Sequence, residues 1–196
     1  MQTPTDRNGR VTDRGERMLV AALLVLAVVP GIAGGSFDAL SARAFLFAAS
    51  SLGWVGATAI LAARLIRIGE HVVGAGFLVL TIAETLLWVN GRDDADPAYL
   101  AGFAGGTMFY VVGLLMLAAP RAYPLVVRLL ATGGAVAWAI QAGRFLTGAE
   151  TLVTDPVAYA GYVLVSATFI AVAIVTIRDG RESRRQMPDA RLSGAT

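Results

Sequence analysis

Six apolar stretches fill most of this 196-residue chain and decide what it can fold into. They run over 18–35, 44–63, 71–89, 98–119, 125–146 and 158–177. A helix of about 20 apolar residues crosses a hydrocarbon core of about 30 Å. Because lipid offers the backbone no hydrogen-bond partners, such stretches become helices. The sequence therefore predicts an all-α integral membrane protein with six transmembrane helices.

The distribution of charge predicts how these helices are oriented. All sixteen basic residues are arginine, and thirteen of them fall on one predicted side of the membrane, leaving Arg43, Arg92 and Arg144 on the other. Basic residues near membrane helices stay in the cytoplasm, so both termini are expected to be cytoplasmic. The exclusive use of arginine indicates a GC-rich, bacterial genome. We therefore expect a multi-pass protein of the bacterial cytoplasmic (inner) membrane.

Composition narrows the classes of protein and partner further. The chain is 56% hydrophobic and has no cysteine, which excludes disulfides and thiolate metal sites. Apart from the short connections between the apolar runs, the chain has only two short polar tails, 1–17 and 179–196, so one membrane domain over 1–196 is expected. The arginine excess is explained by topology, which leaves no nucleic-acid partner to predict. The expected partners are the lipid bilayer and either another membrane protein or a second copy of the chain.

An internal period divides the chain into three hairpins. Arg64, Arg121 and Arg178 each follow an even-numbered apolar run and are 57 residues apart. The segments Asp96–Tyr99 and Asp155–Tyr159 both contain Asp-Pro and a tyrosine before an even-numbered run. A regular period of this kind is the signature of a repeated supersecondary unit. It predicts tandem helical hairpins at 18–67, 71–121 and 125–178, arranged about a pseudo-threefold axis with the odd-numbered helices innermost.

Three two-helix repeats of this length, with Pro97 and Pro156 leading into the second helix of two units, resemble the HdeD-type acid-resistance membrane proteins. The resemblance covers most of the chain. It implies a bacterial inner-membrane stress protein without known catalysis.

Polar side chains within the apolar runs mark a candidate site. Glu84 lies about 9 Å below the outer end of the third helix, and Gln141 stands 57 residues later in the fifth helix. An ionisable residue inside a membrane helix is a functional hypothesis by default. The alternative is a structural carboxyl group, either neutral or paired with Arg144. The candidate ligand-binding residues are Glu84, Gln141, Arg144, Thr81, Trp88 and Trp138.

No catalytic, cofactor or metal motif accompanies these residues. The one histidine, His71, stands at the inner start of the third helix and cannot form a multi-histidine site. The acidic loop 92–96 is a short solvated turn or, as the alternative, a site for a hard divalent cation. The sequence therefore predicts no cofactor and no resident metal, and a catalytic role is not favoured.

Three functions remain open. The first is a non-enzymatic protein that acts by association, as a stress-response or accessory subunit, because small residues such as Gly102 and Gly106 allow close helix packing. The second is a small-solute or proton-coupled transporter or channel with a polar pocket around Glu84, Gln141 and Arg144. The third is a membrane sensor that binds a ligand in the same pocket.

Overall fold

Six α-helices account for almost all of the chain that the structure describes. The structure is a computed structural model, and it describes residues 5–34, 36–37, 39–89, 97–120, 123–148 and 155–185. The helices are α1 (Thr5–Gly34), α2 (Leu40–Arg67), α3 (His71–Val89), α4 (Pro97–Ala118), α5 (Leu125–Leu146) and α6 (Pro156–Arg185). The all-α prediction is confirmed, and each of the six predicted apolar runs corresponds to one helix.

Four of the helices are long and apolar enough to cross a membrane. Their spanning segments are Gly15–Gly34, Ser41–Arg67, His71–Trp88 and Leu125–Leu146. Shorter apolar segments, Gly102–Ala118 and Pro156–Val172, lie on α4 and α6. The chain therefore has the character of a membrane protein, while six complete crossings stay a prediction.

The first and last helices of the chain extend beyond their apolar runs. α1 begins at Thr5 and α6 ends at Arg185, so both continue into the polar tails. Extending an existing helix costs much less free energy than nucleating a new one. This explains how polar residues of the tails can continue α1 and α6 as helix.

Consecutive helices run antiparallel. Arg67 at the end of α2 pairs with Glu16 in the first half of α1, with 2.8 Å between nitrogen and oxygen. Similarly, the Nε–H of Arg128 near the start of α5 donates to the carbonyl of Ala118 at the end of α4 at 2.9 Å. α1 begins and α6 ends at the same end of this up-and-down bundle.

The helices form a circle around a filled centre. Each helix packs on its neighbours in sequence, and α6 also touches α1 along a shorter stretch. Inside the circle, the ring of Phe169 from α6 lies 4.7 Å from that of Trp54 on α2 and 5.3 Å from that of Phe77 on α3. One side chain thus joins three helices, and the middle of the bundle at this level is packed protein.

Glycines let neighbouring helices approach closely. A Cβ atom on Gly53 of α2 would lie 2.5 Å from the backbone nitrogen of Ala27 on α1, which is too short for any larger residue. A Cβ atom on Gly106 of α4 would lie 2.7 Å from the Leu87 side chain and 3.1 Å from the Ala83 carbonyl oxygen. Close backbone contact of this kind stabilises helix pairs in lipid.

The three positions aligned by the 57-residue period all lie in the interior. Ala27 is fully buried, Glu84 is 4% exposed and Gln141 is fully buried. This agrees with the predicted inward orientation of α1, α3 and α5. The even-numbered helices also bury side chains, such as those of Leu114 and Val165. All six helices therefore contribute to the interior of the bundle. The triple repeat itself stays a prediction.

Candidate functional site: a buried polar centre

Glu84 holds three helices together through its carboxyl group. The hydroxyl of Ser51 on α2 donates a hydrogen bond to Glu84 Oε1 at 2.5 Å. The hydroxyl of Tyr110 on α4 donates to Glu84 Oε2. A buried polar group without a partner is costly in an apolar medium, so these two hydroxyl groups stabilise the burial of the carboxyl group. Each carboxyl oxygen therefore has a partner inside the protein.

Tyr110 connects this carboxyl group to α5. Its ring stacks on the indole of Trp138, with 4.9 Å between ring centroids and 13° between ring planes. The Trp138 ring also meets Tyr162 of α6 edge-on at 4.9 Å and Phe103 of α4 at 6.3 Å. Offset and edge-to-face contacts of this type favour one fixed arrangement of rings. The indole is therefore held from both neighbouring helices.

Gln141 brings an unpaired amide group into the same region. It lies one helical turn after Trp138 on the buried face of α5, and both residues are fully buried. Among the residues that the structure describes, Gln141 Oε1, Gln141 Nε2 and Trp138 Nε1 have no hydrogen-bond partner. Three such polar atoms on one face are exceptional, because buried polar groups in native proteins are nearly always paired. We call Ser51, Glu84, Tyr110, Trp138 and Gln141 the polar centre.

Thr81 lies beside the polar centre, between α2 and α3. Its hydroxyl is 2.8 Å from the hydroxyl of Thr58 and donates to the Phe77 carbonyl at 2.9 Å. Thr58 is buried and also bonds to the Trp54 carbonyl at 2.8 Å. Thr81 therefore belongs to a polar contact between two helices, one turn from Glu84, and its hydroxyl is already partnered.

Two of the predicted site residues lie elsewhere. Arg144 does not pair with Glu84 as expected, because its guanidinium lies 3.1 Å from the carboxylate of Asp155, across the connection from α5 to α6. Its side chain is 35% exposed, which suits the end of a helix rather than the interior. Trp88 is 39% exposed and faces outward, so it does not line the enclosed centre. Arg144 therefore lies at the helix end, and the four-residue spacing between Glu84 and Trp88 does not bring both side chains into the interior.

Two residues of the polar centre were not predicted from the sequence. Ser51 stands beside Ser50, whose hydroxyl instead bonds to the Ala27 carbonyl at 2.5 Å within the α1–α2 contact. Tyr110 is a tyrosine in the middle of an apolar helix, 26 residues after Glu84. In a helical hairpin, such spacing brings a long side chain of the second helix back toward the first. Side chains lean toward the helix N-terminus, which gives Tyr110 the necessary reach.

Metal binding finds no support in the part of the chain described. No group of three or more histidine and acidic residues there is placed to hold a metal ion. The acidic loop 92–96 lies outside the described residues. The polar centre itself offers one carboxyl group, two hydroxyl groups, one amide and one indole N–H, a set suited to hydrogen bonding.

Comparison with known proteins gives no relative for this chain. No protein-family model, no curated protein and no solved structure matches it. The resemblance to HdeD-type proteins therefore stays a prediction.

Proposed function

We propose that this protein is a six-span protein of the bacterial cytoplasmic membrane, with both termini inside, which binds and passes a small solute at the polar centre. The arginine distribution supports the orientation, since thirteen of the sixteen arginines would face the cytoplasm. The antiparallel order of the helices agrees with both termini on one side. The exposed surface of the bundle carries long aliphatic side chains such as Leu19, Val25 and Val112, as a lipid-facing surface requires.

The burial of Glu84 within α3 carries this proposal. A carboxyl group at this depth is costly, and here it is held by hydroxyl groups from two other helices rather than left at the lipid face. Simple packing would be satisfied by an aliphatic residue, as at Ala27 in the first hairpin. Binding sites in helical membrane proteins are built where polar side chains of several helices converge near the middle of the bundle.

Association with a partner, the first prediction from the sequence, stays a prediction. Among the glycines that favour close helix packing, Gly53 faces α1, Gly106 faces α3 and Gly134 faces α4 and α6, so these three pack within the chain. Roles as a stress-response subunit or as a membrane sensor stay predictions.

Transport can be tested with the purified protein in liposomes. Fluxes of protons, guanidinium, formate, urea and glycerol would be measured in parallel for the wild type and for Glu84→Gln. The substitution keeps the size of the side chain and replaces one acceptor oxygen by a donor group, which disturbs the hydrogen bonds from Ser51 and Tyr110. We expect at least one solute to cross faster than in protein-free liposomes and the variant to reduce that flux about tenfold.

Glu70→Gln is the matched control, because Glu70 is exposed at the turn before α3. It makes the same chemical change away from the polar centre and should leave flux unchanged. Absence of flux for every solute and for water, or flux that is equal in the wild type and Glu84→Gln, would overturn the proposal and favour association.

A further inference from the structure

Some polar groups of the polar centre already have hydrogen-bond partners within the protein, and others are available to a ligand. Both oxygens of Glu84 already accept hydrogen bonds, from Ser51 and from Tyr110. A cation that bound to this carboxyl group would have to displace or share hydroxyl donors of the protein. The available groups lie instead on α5, at Trp138 and Gln141.

The chemistry of the available atoms defines the ligand they fit. The indole nitrogen of Trp138 and the amide nitrogen of Gln141 are donors and require an acceptor from the ligand. The amide oxygen of Gln141 is an acceptor and requires a donor. A metal ion or a guanidinium-like cation offers no acceptor, and a carboxylate anion offers no donor. All three atoms can be satisfied by a neutral molecule that carries both a hydrogen-bond donor and a hydrogen-bond acceptor.

The surroundings of Trp138 limit the ligand to a small molecule. Trp138 and Gln141 are fully buried, so anything bound to them is enclosed by protein. Gly161 of α6 packs over the pyrrole part of the indole, where a Cβ atom would lie 3.0 Å from Cε2 and 3.1 Å from Nε1. The ring of Tyr110 also stacks on the indole. Larger side chains at position 161 would crowd the indole nitrogen, so only a small molecule fits beside it.

We infer that Trp138 and Gln141 form a binding site for a small neutral hydrogen-bonding molecule, either water or an organic solute of the urea type. This inference rests on the proposed function and names the class of solute. In this arrangement Glu84 is a positioning residue, because it fixes the hydroxyl of Tyr110, whose ring lies on Trp138.

Urea and guanidinium provide a matched pair of probes, since they share a planar shape and differ in charge and in the presence of an acceptor. Their fluxes and the osmotic water permeability would be measured by stopped-flow in liposomes containing the full-length protein. We expect urea or water to cross faster than in protein-free liposomes and guanidinium to remain at background. Gln141→Leu and Trp138→Phe should each lower the selected flux about tenfold, because each removes hydrogen bonds to the solute while keeping an apolar side chain of similar size.

Trp54→Phe is the matched control for Trp138→Phe. Trp54 is also buried and also packs on an aromatic ring, that of Phe169, but it lies outside the polar centre. It should leave flux unchanged, and intrinsic fluorescence melting of each variant would establish that it is folded. Gly161→Ala, which adds a methyl group beside the indole nitrogen, should reduce flux without removing any polar atom.

The outcomes separate this inference from the proposed function. Urea flux that depends on Gln141 supports an organic solute, whereas Gln141-dependent water permeation with urea excluded supports water as the occupant. Flux of guanidinium or protons alone, reduced in Glu84→Gln and unchanged in Gln141→Leu, overturns the inference and leaves transport intact. Absence of any flux overturns both.

Discussion

Glu84 and Gln141 stand 57 residues apart at corresponding places on α3 and α5, and their surroundings differ sharply. Glu84 has a hydrogen-bond partner for each oxygen, supplied by α2 and α4. Gln141 is more deeply buried and has none among the described residues. The first group is integrated into the helix packing, whereas the second costs stability unless something else binds to it. Corresponding positions in the period therefore do not imply equal roles.

The difference follows from what the adjacent helices present. α2 and α4 face Glu84 with hydroxyl groups, whereas the region around Trp138 on α5 is aromatic, with Phe103, Tyr110 and Tyr162 around the indole. Aromatic rings fix the position of the indole but offer its N–H no partner here. Four sets of substitutions test whether Glu84 and Gln141 differ in this way.

The largest effect is expected for Glu84→Leu. This substitution removes two hydrogen bonds and leaves the hydroxyl groups of Ser51 and Tyr110 without their acceptor, so it should lower the free energy of unfolding by about 3 kcal/mol. Intrinsic tryptophan fluorescence during thermal unfolding in detergent would report the change, with Glu70→Gln as the control. A melting temperature equal to that of the wild type would contradict the partnered role of Glu84.

Gln141→Leu should act in the opposite direction. It removes a buried amide that has no partner within the fold and retains apolar volume. In solute-free detergent it should raise the free energy of unfolding by about 1 kcal/mol when the site takes an organic solute, and change it little when water is the occupant. The same fluorescence assay applies. A loss as large as that of Glu84→Leu would mean that Gln141 is hydrogen-bonded within the fold, and the contrast between the two residues would disappear.

Smaller effects are expected for Ser51→Ala and Tyr110→Phe, each of which removes one hydroxyl donor to Glu84. Each should cost about 0.6 kcal/mol, since hydrogen bonds between membrane helices are individually modest. In a Glu84→Leu background both should have little further effect, which a double-mutant cycle would measure. Additive losses would show that the hydroxyl groups act independently of the carboxyl group.

Arg144→Gln should have the smallest effect. Arg144 pairs with Asp155 at a partly exposed site, and such ion pairs contribute about 0–1 kcal/mol. Its loss should be similar to that of Asp155→Asn and should diminish in high salt. A large loss of stability shared with the Glu84 variants would instead couple Arg144 to the polar centre.

The sequence predicted the helices well because their signal is length and hydrophobicity. α3 and α5 begin and end at the predicted residues, and the inward orientation of Glu84 and Gln141 was correct. The sequence was less informative about individual side chains: Trp88 is exposed although it lies four residues after the buried Glu84, and Arg144 pairs along the connection to α6. In a membrane protein both the lipid-facing and interior faces are apolar, so hydropathy distinguishes them poorly.

The uniform hydrophobicity of the helices is also why the sequence did not predict the partners of Glu84. α4 is apolar on every side, and nothing in its composition separates Tyr110, which is 2% exposed, from Tyr159 of α6, which is 54% exposed. Tertiary packing brings Tyr110 to both Glu84 and Trp138, and this double contact is invisible in any single helix.

One contact between adjacent helices in the circle, that of α1 with α6, is smaller than the others. α1 and α6 meet along the shortest stretch, and no connecting loop ties one to the other. The first and last helices can therefore separate with less loss of packing than any other adjacent pair. If the bundle must open to admit a molecule to its interior, the α1–α6 contact offers the least resistance.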